Sequence, residues 1–376
     1  MQYLTEISRL LDGALKGDRS RVQDYAAQLI TKLRSDGDAK AADRLESVIS
    51  RSGGTVGVQH VSPTIPVDSE SRYPLADELY PKKEDIKLYL DDRIHDRIAE
   101  FLSHVEFSDE LLAAGVGITP TMLLHGPPGT GKSLTAQYVA ASLGLPLLVA
   151  RVDTLVSSYL GSTSKNIRNL FEHASRRPCV LFLDELDALG KLRDDQHEMG
   201  ELKRVVIALL QNIDNAGGST VLLAATNHPH ILDRAIWRRF QFHVSIELPT
   251  EPVRDKLISS LLMGESASFP VNKIASLAAG MSCADITSIV RDSIRHRVVN
   301  KEKEVSFGYI VRRIIESRLG THLSGELPEP AAVLRIQKLN DKVLTLRVLA
   351  DLFNVSPPTI GRRLKETLRA EAATNG

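Results

Sequence analysis

The fold is decided by one stretch of sequence, Gly126-Pro127-Pro128-Gly129-Thr130-Gly131-Lys132-Ser133, which follows the apolar run Met122-Leu123-Leu124. The stretch satisfies the pattern G-x-x-x-x-G-K-[ST] between a predicted strand and a predicted helix. Glycines let the backbone wrap closely around phosphate oxygens, with its N–H groups pointing inward at a helix N-terminus. The alternative is a Gly-Pro turn that leads into a helix, and the strand directly before the glycines favours the phosphate site.

The loop predicts a nucleoside triphosphate ligand. Lys132 would supply positive charge to the β- and γ-phosphates, and Ser133 would offer its hydroxyl to Mg²⁺. The predicted cofactors are therefore ATP and Mg²⁺. The candidate nucleotide-binding residues are Gly126, Pro127, Pro128, Gly129, Thr130, Gly131, Lys132, Ser133 and Leu134.

A pair of carboxylates follows a second apolar run, Val180-Leu181-Phe182-Leu183, and consists of Asp184 and Glu185. Acids at the carboxyl end of a parallel strand lie where open α/β sheets bind ligands. Asp184 would hold Mg²⁺, directly or through water, and Glu185 would orient and deprotonate the attacking water. Such acids often only begin a solvated loop, but the phosphate loop upstream favours catalysis.

Short apolar runs alternate with helical patterns between Met122 and Pro249. This alternation predicts an α/β fold of the P-loop NTPase type, with a parallel sheet covered on both faces and a helical lid. A small all-α module precedes it and a helix-turn-helix-like tail follows it. The predicted organisation is a three-helix N-terminal module at 1–51, a linker at 52–85, an α/β nucleotide-binding domain at 86–249, a helical lid at 250–320 and a basic tail at 331–376.

The composition is balanced, with 47 basic and 47 acidic residues in 376. A preference for nucleic acid must therefore be local. The two cysteines, Cys179 and Cys283, indicate no disulfide framework and suit a reducing compartment. The first residues lack the pattern of a signal peptide, and no apolar run approaches the ~18–20 residues that span a bilayer. We expect a cytoplasmic protein without a membrane partner.

From about Ile86 to Leu319 the chain resembles the AAA clade of the AAA+ ATPases, the group that contains unfoldases and severing enzymes. Five blocks carry the resemblance, in the order expected for the family: Gly126 to Ser133, Leu155 to Phe171, Leu181 to Leu189, Ala224 to Phe240 and Ser282 to Val290. The resemblance implies an ATP-hydrolysing subunit of a homo-oligomeric ring, most often a hexamer.

The same resemblance implies three further catalytic residues. Asn227 ends an apolar run and would contact the γ-phosphate or the lytic water, although an asparagine also caps such turns. Arg238 and Arg239 lie in the segment that carries arginine fingers, whose planar cations neutralise a γ-phosphate in a neighbouring subunit. The family often separates these arginines by two residues, so their adjacency leaves open which one dominates. A solvated basic turn is the alternative.

Ser282-Cys283-Ala284-Asp285 resembles the Ser-Gly-Ala-Asp start of a lid helix near the nucleotide, with Cys283 in the place of glycine. Ser282 and Asp285 fit an N-terminal helix cap equally well. No arginine stands there, so a second sensor arginine is not predicted.

Tyr159-Leu160-Gly161 matches the aromatic–aliphatic–glycine loop that faces the central pore in this family. A ring of aromatic side chains can grip an extended polypeptide through apolar contact. A Tyr-Leu pair beside glycine is more often core packing, and the flanking residues 165–171 favour the pore. Residues 190–201 are either a second pore loop or a solvated surface.

The tail contains a helix-turn-helix pattern over residues 345–364, with Asn354 suited to a left-handed turn and Pro357 to the start of the second helix. Thr359, Arg362 and Arg363 would face DNA. Residues 331–369 carry eight Lys or Arg against three Asp or Glu. Such units also dock proteins, and that alternative stays open.

Three classes of function fit these observations. The leading one is an ATPase ring that remodels or threads a protein partner. The second is a DNA-associated ATPase that binds DNA through its tail. The third is a nucleotide-gated adaptor that hydrolyses slowly and acts by binding.

Overall fold

The computed structural model describes residues 3, 7, 10–11, 19–51, 65–68, 71–155, 160–188, 199–216, 220–323 and 327–374. They fall into two compact units, which are described separately. The first comprises 1–88, 93–126 and 132–246, and the second comprises 89–92, 127–131 and 247–376. Among the described helices, none is long and apolar enough to cross a membrane.

Near the N-terminus lie two helices, α1 (Arg19–Ser35) and α2 (Ala39–Arg51). Their own small core consists of Leu29, Ile30, Leu33 and Ala42. The chain reverses at Gly37, whose φ of 85° suits a residue without a Cβ. The first of the three predicted helices lies mostly outside the described residues, so the three-helix module at 1–51 stays a prediction.

A six-stranded sheet forms the centre of the first unit. Its strands are β1 (Ala76–Leu79), β2 (Thr121–His125), β3 (Leu147–Ala150), β4 (Cys179–Leu183), β5 (Thr220–Thr226) and β6 (Phe242–Ser245). The strand order is β1-β3-β4-β5-β2-β6. All neighbours run parallel except β1, which is antiparallel to β3. Every residue of β4 and β5 is buried, as expected for strands covered on both faces. The predicted α/β fold is confirmed.

The edge strand β1 corrects the sequence prediction, because it lies inside the predicted linker at 52–85. Ala76 pairs with Ala150, and Glu78 forms a 2.6 Å ion pair with Arg177. The strand is only four residues long, and only Ala76 is fully buried. Its sequence, Ala-Asp-Glu-Leu, contains no apolar run, so β1 is recognised only by its backbone pairing with β3.

The helices of the first unit surround the sheet. They are α3 (Asp92–Glu106), α4 (Ser108–Ala113), α5 (Lys132–Leu143), α6 (Val152–Leu155), α7 (Leu160–Ser175), α8 (Met199–Asn215) and α9 (Arg234–Trp237). Residues of β4 and β5 pack with the apolar faces of α7 and α8, for example Leu181 and Leu222 with Leu170 and Leu209. This burial places the carboxyl ends of β2, β4 and β5 beside one another.

The second unit is helical, with α10 (Glu251–Leu261), α11 (Val271–Leu277), α12 (Cys283–Val299), α13 (Phe307–Leu319), α14 (Pro330–Leu339), α15 (Leu346–Leu352) and α16 (Pro357–Thr374). One hydrophobic cluster runs through the whole set and includes Ile286, Ile310, Val333, Leu349 and Ile360. The predicted lid and the predicted tail therefore share a core, although Gly320 ends α13 in the left-handed conformation.

Candidate functional site

Glycine is required where the phosphate loop leaves β2. At Gly126 φ is 141°, and a Cβ built there would lie 2.1 Å from the carbonyl oxygen of Ile246. Gly129 and Gly131 also have positive φ, at 73° and 106°. A side chain at these positions would be strained or would clash, so the loop backbone depends on the glycines that the pattern specifies.

The loop lysine begins α5 and is buried, with 6% of its surface exposed. The Nζ of Lys132 donates a hydrogen bond to the carbonyl oxygen of Gly126 at 2.9 Å. Burial lowers the pKa of Lys132, and the carboxylates of Asp184 and Asp187 oppose that change. A desolvated ammonium group held at the loop is the environment in which an anionic ligand binds favourably.

Ser133 and Asp184, 51 positions apart in the sequence, are in direct contact. The Ser133 hydroxyl donates to Oδ2 of Asp184 at 2.7 Å, and the backbone N–H of Glu185 donates to Oδ1 at 2.9 Å. One hydroxyl and one carboxylate fit Mg²⁺, which keeps several waters and takes its remaining ligands from substrate phosphates. The structure thus brings together the two residues predicted to hold the ion.

Glu185 has an exposed side chain and a φ of 51°, which is uncommon for a residue other than glycine. Two backbone hydrogen bonds hold this turn. Leu186 N donates to Ala225 O and Ala188 N donates to Glu185 O, each at 2.8 Å. Strained backbone of this kind concentrates at functional sites, because the surrounding structure must sustain it. The turn presents the Glu185 carboxylate directly after the metal-binding candidate Asp184.

Asp187 is a site residue to which sequence reasoning assigned no role. It is buried, and its Oδ1 accepts hydrogen bonds from the Thr226 hydroxyl at 3.0 Å and from the Asn227 N–H at 3.2 Å. The turn after β4 is thereby joined to the end of β5, which carries the predicted sensor residue. The available signal was an acid three positions after Asp184, but the partner 39 residues away could not be read from the sequence.

The two adjacent arginines differ in their surroundings. Arg239 makes a two-pronged contact with Asp214 of α8, from Nε to Oδ1 at 3.0 Å and from Nη2 to Oδ2 at 3.1 Å. Arg238 is exposed, and within the described part of the chain it forms no ion pair. Among the residues that the structure describes, Arg239 therefore has an acidic partner in its own subunit and Arg238 has none.

In the second unit, the middle of the phosphate loop contacts the start of α12. The Ala284 N–H donates to the Gly129 carbonyl oxygen at 3.0 Å, and a Cβ on Gly129 would lie 2.7 Å from the Ser282 hydroxyl oxygen. Ser282 also caps α12 in a reciprocal arrangement with Asp285. The helix-cap interpretation is therefore confirmed, and the capping turn is also a loop contact. Burial raises the pKa of the Cys283 thiol.

The pore-loop predictions fall largely outside the described residues. Tyr159 is outside them, and of Leu160 only the backbone is described, as the first residue of α7. Most of the proposed second loop at 190–201 is also outside, and its last residues begin α8. Thr359, Arg362 and Arg363 lie on the first two turns of α16.

Comparison with known proteins supplies the family. Residues 122–248 match the model of the "ATPase family associated with various cellular activities (AAA)". An uncharacterized AAA family ATPase of Sinorhizobium fredii is 40% identical over 198 residues, which is 53% of this chain and 60% of that protein. A protein of Methanothermobacter thermautotrophicus, named as a homolog of a 26S proteasome regulatory subunit, is 35% identical over 49% of this chain and 50% of its own length.

A further relative is the ATP-dependent zinc metalloprotease FtsH 4 of Synechocystis, 30% identical over 257 residues, or 63% of this chain and 41% of that protein. The chain thus spans 60% or less of the length of these three relatives. The matched region contains the phosphate loop, the carboxylate pair and the adjacent arginines. Residues 122–248 of this chain therefore match an ATPase domain of the AAA family.

Proposed function

We propose that the chain binds and hydrolyses ATP with Mg²⁺ in a homo-oligomeric ring, a hexamer, and uses the energy to remodel or thread a protein partner. The proposal depends above all on the buried Lys132, whose Nζ donates to the Gly126 carbonyl oxygen, together with the Ser133–Asp184 hydrogen bond. Relatives named as proteasome regulatory subunit homologs and as an ATP-dependent protease support a protein substrate.

In this mechanism the protein positions charges and the attacking water. Lys132 binds the β- and γ-phosphates, and the loop N–H groups hold the phosphate oxygens. Ser133 and Asp184 would hold Mg²⁺, which would supply positive charge to the phosphates. Glu185 accepts the proton of the attacking water. Asn227 orients that water or senses the γ-phosphate. The carboxylate of Asp187 accepts the backbone N–H of Asn227 and so holds it in place.

We assign the arginine finger to Arg238. Arg239 is already paired with Asp214, so its use in trans would require breaking a two-pronged contact. Arg238 is exposed and has no such partner among the described residues. A guanidinium without an acidic partner in the described part of its own chain can reach the γ-phosphate of a neighbouring subunit.

Arg238→Ala is expected to lower kcat about 10³-fold, the lower end of the effect of an arginine finger. Arg239→Ala, the matched control, should keep most of the turnover. Phosphate release measures both. Mixing Arg238→Ala subunits with Glu185→Gln subunits should restore activity, because the latter donate Arg238 to intact sites. The assignment would be contradicted if Arg239→Ala lost turnover while Arg238→Ala did not, or if mixing the two kinds of subunit restored no activity.

The pore assignment of Tyr159 rests on the match of its surrounding sequence to the family. Tyr159→Ala should keep basal ATP hydrolysis within about twofold and stop protein unfolding, because apolar grip on the polypeptide is lost. A fluorescent protein with an unstructured peptide tail is a suitable probe, with loss of fluorescence as the readout.

Tyr73→Ala provides the matched control for this experiment. Tyr73 is 66% exposed, so its removal deletes an aromatic ring without disturbing the core. It should leave both hydrolysis and unfolding unchanged. If Tyr159→Ala unfolds the probe as fast as the Tyr73→Ala control, the residue does not act in a pore.

We further propose the cytoplasm as the compartment. Both cysteines of the chain, Cys179 and Cys283, are free thiols, and Cys179 is buried in β4. Unpaired thiols suit a reducing environment. Free thiol content after expression in the native host is the measurement.

A further inference from the structure

The last two helices are joined by a tight turn whose geometry is well determined by hydrogen bonds. Asn354 has a φ of 56°, and the N–H of Val355 donates to the Ala350 carbonyl oxygen at 3.0 Å. The Ser356 carbonyl oxygen accepts from Thr359 N at 3.0 Å, which starts α16. Ala350 and Ile360 are buried on the two sides of the turn. Helices α15 and α16 are therefore held in one fixed relation.

α16 has one buried face and one exposed cationic face. Ile360, Leu364 and Thr367 point into the shared core. Arg362 and Lys365 are exposed on the opposite side. The predicted contact residue Arg363 is half-buried toward the flank, and the Thr359 hydroxyl is paired with that of Ser356 at 2.9 Å. Lys365, which the helix-turn-helix pattern does not predict as a contact, also belongs to the cationic face.

The cations of this face are available to a partner. Within the described part of the chain, Arg347, Arg362 and Lys365 form no ion pair, and Glu366 is the one acid on the exposed side of α16 up to Thr367. Pro357 and Pro358, at the start of the helix, are exposed as well. The N-terminal turns of α16 are thus uncovered, which is the part of a second helix that enters a DNA groove.

Charge is segregated within this neutral chain. Residues 331–369 hold eight basic and three acidic residues, so the rest of the chain holds 39 basic and 44 acidic ones. Among the described side chains from 331 to 367, the only large exposed apolar residue is Leu346, at 39%. Protein docking surfaces usually contain large apolar or aromatic anchors at their centre. A cationic face without such anchors fits a phosphate backbone better.

We propose that α15 and α16 form a duplex DNA-binding surface, with the first turns of α16 in the major groove and Arg362, Lys365 and Arg347 against the backbone phosphates. Each such cation displaces a condensed counterion, so the affinity depends on salt. This inference goes beyond ATP hydrolysis and protein remodelling and does not depend on them. In the second unit the same core also includes α12, whose first turn contacts the phosphate loop at Gly129.

The test is fluorescence anisotropy of a labelled 25-base-pair duplex, about the length of two helical turns, with the full chain at salt between 50 and 200 mM. The Arg362→Ala/Lys365→Ala double variant should bind on the order of 50-fold more weakly than wild type at 0.1 M salt, and the slope of log K against log salt should fall by about two. Basal ATPase activity should not change.

The matched control is the Lys256→Ala/Lys273→Ala variant, which removes two exposed cations from α10 and α11 of the same unit. It should bind the duplex as wild type does. Equal loss of DNA affinity in both double variants would show a nonspecific charge effect, and absence of wild-type binding at 50 mM salt would also overturn the proposal.

Poly-glutamate is the second probe. If it competes as well as DNA at equal charge, the surface binds acidic protein segments and the proposal is wrong.

Discussion

Lys132→Ala is expected to abolish ATP binding, raising the Kd by on the order of a hundredfold or more. Truncating one partner of a desolvated, hydrogen-bonded charge pair costs about 2–5 kcal/mol. Lys132 would form such a pair with the phosphates, since it is buried, its pKa is lowered by that burial, and its Nζ is held by a hydrogen bond to the Gly126 carbonyl oxygen. Isothermal titration calorimetry with Mg²⁺ and ATP measures the change directly.

Two further variants separate lost binding from lost folding. Lys132→Met keeps the length of the buried stem and removes only the charge, so it should fold and still fail to bind ATP. Lys82→Ala, at an exposed position of the same unit, should bind ATP normally. Tight ATP binding by a folded Lys132→Met protein would contradict the assignment of the loop.

Glu185→Gln should produce the second large effect, a loss of about 10²–10⁴ in kcat with ATP affinity retained. The amide has nearly the same shape as the carboxylate and can occupy the same turn, where the residue has a φ of 51°. It cannot accept the proton of the attacking water. ATP should therefore persist in the site and stabilise the oligomer, because the triphosphate is where a neighbouring arginine would bind.

Phosphate release and light scattering after gel filtration in ATP are the two measurements for this variant. Glu84→Gln, another exposed glutamate of the same unit, is the matched control and should hydrolyse ATP as wild type does. Unchanged turnover in Glu185→Gln would refute its role as the base. A monomeric protein in the presence of Mg²⁺ and ATP would refute the ring.

The sequence predicts some strands of the sheet better than others. The apolar runs that predicted β2, β3, β4 and β5 are long enough to make a buried strand recognisable. The apolar residues Val244 and Ile246 predict the last strand slightly late, since β6 spans Phe242–Ser245. β1 is not predicted by the sequence because an edge strand of four residues needs little apolar surface, and its pairs with β3 join residues 68 to 74 positions apart.

The candidate site was predictable where its chemistry is local. The loop glycines, Lys132 and Ser133 are adjacent in the chain, so the pattern alone specified their types and spacing. The role of Asp187 was not predictable, because its partners Thr226 and Asn227 reach it only through the pairing of β4 with β5. The same holds for Arg239, whose commitment to Asp214 singles out Arg238.

The sequence by itself determined the phosphate loop, the parallel α/β fold and the turn before α16, since each follows from backbone conformation and burial within a few residues. Only the tertiary structure decided that Ser133 meets Asp184, that Arg239 and not Arg238 has an ion-pair partner among the described residues, and that lid and tail share one core. The physical reason is that these contacts join residues brought together by strand order and helix packing. Local conformational preferences do not determine which residues far apart in the sequence come into contact.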